Sequence, residues 1–233
     1  MRSTLARPQR GVPLAFVLTI AVIAGIFTFT TQSESAHAGV LGHDHGVGPV
    51  GLPTAAQVAF HDQMRKLWED HVTWTRLAIV EFAAADPGLT PTVTRLLQNQ
   101  TDIGNAITPF YGAAAGQQLT TLLQTHISLA VALLQDAKAQ NATQFAADKA
   151  SWYNNANQIA DFLSAANPRF WPDDVMRAFM KEHLDQTLAE AQDELTGNYT
   201  ASITDYEAIH LHILALADLL SKGIMSQFPS RFA

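Results

Sequence analysis

Apolar positions recur at intervals of three and four along most of this chain, and no stretch alternates with a period of two. From residue 54 onward that pattern predicts helices and no sheet. The first helix is expected over 54–85, with Val58, Met64, Leu67, His71, Trp74 and Ala78 on one side, and Asp86-Pro87-Gly88 stops it. Residues 91–112 read as a short, broken segment: Leu96, Leu97, Ile103 and Ile107 are followed by Pro109-Phe110-Tyr111-Gly112. A second long helix is expected over 113–140, with the stripe Leu119, Leu122, His126, Leu129 and Leu133.

A third is expected over 142–166, with Phe145, Trp152, Asn155, Ile159 and Phe162 on a shared face, ended by Asn167-Pro168. Pro172-Asp173-Asp174 opens a fourth, since proline suits a first turn and acids suit the positive end of a helix. Its stripe is Met176, Met180, His183, Thr187 and Glu190, and Gly197 closes it. The last runs over 199–226 with Ile203, Tyr206, His210, Ile213, Ala217 and Leu220 inward. Five long helices with short connections pack against antiparallel neighbours, so the expected fold is an all-α antiparallel bundle over 54–233.

The first fifty residues differ in kind. Arg2, Arg7 and Arg10 precede an apolar run over 12–29, a polar stretch over 30–34 and then Ala36-His37-Ala38. That is the layout of a secretory signal peptide over 1–38, or of a retained N-terminal membrane anchor. Either places the remainder outside the cytoplasm, secreted or tethered, with the arginines inside. Residues 39–53 hold five Gly and two Pro, a flexible linker that carries His43-Asp44-His45. Those three side chains are a solvated linker or a weak divalent-metal ligand set.

Composition narrows the chemistry. The 233 residues contain no cysteine, which excludes a disulfide scaffold, thiol catalysis, iron–sulfur clusters and thiolate zinc sites. A formal net charge of −7 leaves no basic excess for nucleic acid. Motifs of nucleotide-binding loops, serine-hydrolase elbows and H-E-x-x-H metalloproteases are absent.

What remains is an arrangement of histidines. His71, His126, His183 and His210 lie near the midpoints of four of the expected long helices, and Asn154 and Asn155 near the midpoint of the third. Midpoints of antiparallel helices of similar length share a depth, and offsets of two or three residues are only ~3–5 Å along the axis. Four imidazoles in one layer suggest a bound metal ion or small ligand. Glu207, one turn from His210, is the candidate carboxylate, as ligand or as a group orienting one. Three imidazoles and a carboxylate suit zinc, copper or iron. Glu-x-x-His spacing also occurs in ferritin-like di-iron sites, but here in one copy, and Glu190 lies two turns from His183, at an adjacent level.

Each of these residues also has a packing role open to it. Buried histidines hydrogen-bond amides and carbonyls, and Asn155, Tyr206 and Glu207 are available for that. Arg76 is expected to pair with Glu81 or Asp102. Trp68, Trp74, Trp152, Tyr153 and Trp171 line a pocket or fill the core. His212 is expected to be exposed and turned away from His210. Asn99, Asn141 and Asn198 each begin a glycosylation acceptor pattern. Two further readings stand beside the metal or ligand site: a non-catalytic interaction module of the cell envelope, and a hydrolase using a His–carboxylate pair. No catalytic residue is assigned.

The segments His71-Val-Thr-Trp-Thr-Arg76, Pro109-Phe-Tyr-Gly112, Trp152-Tyr-Asn-Asn-Ala156 and Gln227-Phe-Pro229 resemble those of an uncharacterised family of bacterial extracytoplasmic helical proteins. The resemblance spans about residues 65–232. It implies a bacterial, Gram-positive origin and carries no activity or site residues with it.

Overall fold

Thr54 begins the folded chain with a reciprocal cap: its side chain accepts from the Gln57 backbone N–H, and the Gln57 side chain accepts from the Thr54 N–H. The computed structural model describes residues 52–233. The signal-peptide or anchor reading of 1–38, and the linker histidines, lie outside the described residues.

Six α-helices follow in order: α1 Ala55–Ala84, α2 Leu89–Tyr111, α3 Ala113–Ala139, α4 Ala142–Ala166, α5 Asp173–Thr196 and α6 Tyr199–Gln227, with a 3-10 turn at Pro229–Arg231. The all-α bundle is thus observed, and no strand occurs among the described residues. Each helix packs on the next, and α6 returns to α1, so the six close into a ring. Contacts such as Glu69–His210 and Arg76–Ser202 run α1 antiparallel to α6. The odd-numbered helices also meet across the middle, where α5 touches α1 and α3.

One expectation is corrected. Residues 91–112 are not a short broken segment but most of α2, a continuous helix of 23 residues. Pro91 sits in its first turn, where the missing N–H has no intrahelical partner. Pro109 sits in its last turn, and the helix ends two residues later. Gly104 is there for packing: α2 crosses α3 so closely that a Cβ on Gly104 would lie 2.5 Å from the Gly116 carbonyl oxygen. The other junctions follow local chemistry. Ala85 and Gln140 adopt left-handed φ of 55° and 56°, and Gly197 ends α5 at φ 80°. Asn141 caps α4 by accepting from the Gln144 N–H.

One end of the bundle is closed by aromatic rings. Phe60, Phe110 and Phe232 lie 5.1–5.5 Å apart, and Thr54 Oγ1 donates to the Phe232 carbonyl at 2.7 Å, joining the two ends of the described chain. Trp171 is buried under α6 and donates its indole N–H to the Leu219 carbonyl. By length and composition α6 could cross a membrane, but it is packed between α1 and α5. The middle of the bundle, by contrast, is polar.

Candidate functional site

Every helix sends one polar side chain to the same level of the interior. They are His71 from α1, Gln100 from α2, His126 from α3, Asn155 from α4, His183 from α5 and His212 from α6. The first five are buried, and the His212 side chain is only 9% exposed. His183 is the hub: its ring centroid lies 5.7 Å from His71, 6.4 Å from His126 and 6.5 Å from His212. Trp68 packs edge-on to His71, and Trp152 stacks on His126 at 5.3 Å.

Of the four histidines expected in one layer, the structure brings His71, His126 and His183 near one another. His210 does not join them. Its Nε2 lies 2.9 Å from Glu69 Oε1 on the outer α1–α6 seam, with the side chain 31% exposed. Glu207 is exposed and contributes no carboxylate to the layer. The imidazole that α6 supplies is His212, expected to face outward. The inward stripe of α6 runs through Ile209, Ile213, Leu216 and Leu220, and His212 lies beside it, one turn from both Ile209 and Leu216. A stripe drawn through Ile203, which is 53% exposed, selects the wrong histidine. Gln100 is not legible from the sequence, because a lone amide on a helix carries no spacing signature. Its sole sequence signal is a position four residues from Leu96 and three from Ile103.

Hydrogen bonds orient the rings. His126 Nδ1 lies 3.0 Å from Asn155 Oδ1, which can only accept, so Nδ1 carries the proton and Nε2 keeps its lone pair. Asn155 is held in turn by donating to the Leu122 carbonyl at 3.2 Å. His212 Nε2 donates to the Phe179 carbonyl at 3.0 Å. Gln100 Nε2 has two protons and three acceptors in reach: the Leu96 carbonyl, Asn99 Oδ1 and, at 3.2 Å, His71 Nδ1. Four buried polar atoms around this level have no hydrogen-bond partner among the described residues: His183 Nδ1, Gln100 Oε1, Trp68 Nε1 and Trp152 Nε1. Unpaired buried polar groups are uncommon in folded proteins.

Burial holds the three central imidazoles neutral. Desolvation, with His126 nearby, lowers His71 to about 3. Desolvation lowers His126 to about 4, partly opposed by Asn155. His183 falls well below its ordinary value through desolvation and then through the three other imidazoles.

A second buried polar cluster lies about two turns further along α5. Arg76 reaches Glu190 at 2.9 Å and Glu194 at 3.3 Å, and also contacts Ser202, whose hydroxyl donates to Glu194 at 2.7 Å. Arg76 therefore pairs with neither Glu81 nor Asp102. Burial raises Glu190 to about 7 in spite of the guanidinium. Of the aromatic residues, Trp68, Trp152 and Trp171 are core, while Trp74 lies under the Arg95 guanidinium at 5.6 Å. Asn99 is fully buried and donates to the Leu67 carbonyl, so its acceptor pattern is closed in the folded protein; Asn141 and Asn198 are exposed.

Among the described residues, no three His, Asp or Glu side chains form a ready-made metal site as they stand. Three imidazoles on one tetrahedral ion, with bonds of ~2.1 Å, have centroids about 5 Å apart. The pairs at 5.7 and 6.4 Å are wider than that by roughly an ångström.

No family model matches the chain, and neither does any curated protein or solved structure.

Proposed function

We propose that the bundle is an extracytoplasmic protein that binds a divalent transition metal (zinc, copper or iron) at the His71, His126 and His183 layer. The observation that carries this reading is the unpartnered Nδ1 of His183, buried between two other imidazoles from two other helices. Neutral rings suit metal capture, because no proton need be displaced at pH 7. Asn155 holds His126 in the tautomer that leaves Nε2 with its lone pair, as carbonyl-type partners do for metal-bound histidines. No carboxylate replaces Glu207 in the layer, so the set is three neutral nitrogens, and the fourth position falls to water or a small anion.

Metal content of the full untagged chain, measured by mass spectrometry after reconstitution with each ion, tests this. Near-stoichiometric metal is expected. It should be lost in His183→Ala and retained in His210→Ala, with both variants folded by circular dichroism. A folded protein that takes up none of the three ions overturns the proposal.

A second reading, an interaction module of the cell envelope, draws on Tyr199, Ile203 and Leu211 of α6 and Val58 and Leu77 of α1, all exposed. A single recurring protein crosslinked to these residues in intact cells supports it; a chain that remains uncrosslinked counts against it.

A further inference from the structure

One turn beyond the imidazole layer lies a partly open apolar pocket of about 50 Å³. Its walls include Ile79, Leu96, Ile127, Leu133, Leu188 and Trp152. Two lining residues, Thr75 and Thr187, carry hydroxyls, and both are already engaged: Thr75 Oγ1 donates to the His71 carbonyl and Thr187 Oγ1 to the His183 carbonyl, each at 2.8 Å. These bonds fix the cavity one turn above His71 and His183. Trp152 belongs to both places, lining the cavity and stacking on His126.

Water is a poor occupant of such a space. A buried water needs two to four polar partners, and cavities lined by aliphatic and aromatic side chains stay dry yet accept apolar guests. Size limits the guest. The volume is several times the ~10–15 Å³ that one water needs and about a third of a cavity of ~150 Å³ that takes benzene.

We infer that this chamber is a binding site for a small apolar molecule of two or three heavy atoms, the size of dioxygen, held against the imidazole layer. The inference does not require a metal below it. Chamber occupancy and metal content are separate measurements, so each proposal stands or falls without the other.

Xenon is the probe. Methyl NMR of the full, metal-free chain under xenon pressure should show saturable shifts concentrated at Ile127, Ala130 and Leu133, and dioxygen should compete for the same site. Ala191 also lines the chamber, and Ala191→Leu, which adds bulk there, should weaken xenon binding at least tenfold. Leu133→Ala, which enlarges it, should strengthen xenon binding and admit benzene, and this reading holds even if the filled variant does not fold. Absence of saturable shifts in the unaltered chain overturns the inference. So do identical shifts in a folded Ala191→Leu variant, or an ordered water found in the chamber.

Discussion

Asn155 fixes the proton of His126. The amide oxygen lies 3.0 Å from Nδ1, and the amide nitrogen is anchored on the Leu122 carbonyl of the helix that carries His126. The amide therefore cannot turn over without losing its anchor, and the ring is left with Nε2 as its free nitrogen. Asn155→Leu should leave the Nδ1 proton buried without an acceptor, at a cost of about 1–3 kcal/mol. If the layer binds metal, affinity should fall 10–100-fold, the usual effect of removing a group that orients a ligand. Denaturant unfolding and a competitive metal titration read the two effects separately. Unchanged stability would show that the amide does not hold the ring.

Among the described residues, Arg76 is the only cation in contact with two buried carboxylates, Glu190 and Glu194. Removing one member of such a set strands the others without compensation, which costs about 3–5 kcal/mol. Arg76→Met should thus lower the thermal midpoint by roughly 10 °C. Glu190→Gln should be far milder, because that carboxyl is already half protonated near pH 7 and the amide keeps an acceptor for the guanidinium. Thermal melts of both variants at pH 7 check the ordering. A Glu190→Gln variant as damaged as Arg76→Met would mean that the carboxylate is fully charged in the folded protein.

Much of this was legible in the chain, for definite reasons. α4 runs over Ala142–Ala166 as expected because Asn141 caps it and Asn167-Pro168 cannot continue it. Three of the layer histidines were found because they fall near the centres of α1, α3 and α5, which run in the same direction. α2 differs from the expected broken segment because Pro109-Phe110-Tyr111-Gly112 marks only its end: Pro109 sits in the last turn and Gly112 caps it. On α6 the choice between His210 and His212 turns on a rotation of 200° over two residues, and a stripe placed one position off reverses it. Gln100 and the Arg76 cluster depend on which helices are neighbours, and the closure of α6 onto α1 is a property of the ring as a whole.

Two glycines in helix interiors test that tertiary packing. A Cβ on Gly223 would lie 2.7 Å from Cε2 of buried Trp171, and one on Gly104 would meet the backbone of α3. In a free helix either Gly→Ala change gains about 1 kcal/mol. Here each should instead destabilise by roughly 1–3 kcal/mol, since a buried indole or a whole helix must move. Urea unfolding of Gly104→Ala and Gly223→Ala decides between these signs. A stabilised Gly223→Ala would mean that Trp171 is not seated under α6.

The buried imidazoles set the response of the metal-free protein to acid. Their folded values, about 3 for His71, about 4 for His126 and well below ordinary for His183, are depressed from an unfolded value near 6.5. Between about pH 4 and 6.5 the unfolded chain therefore binds up to three more protons at these rings. Stability is full above about 6.5 and is lost as pH falls. Glu190 acts the other way, because its folded value near 7 exceeds an unfolded value of 4.5, so over much of that window the folded state holds one extra proton. At these four groups the net difference is about two protons, which contributes a slope of roughly 2–3 kcal/mol per pH unit around pH 5.5. Near pH 7 the two contributions nearly cancel and the profile flattens. Urea midpoints taken in chelator from pH 4.5 to 8 should trace this curve. His183→Asn should shallow the acid limb by about one proton, whereas Glu190→Gln should steepen it. A limb left unchanged by His183→Asn would place the protonation that drives acid unfolding elsewhere in the bundle.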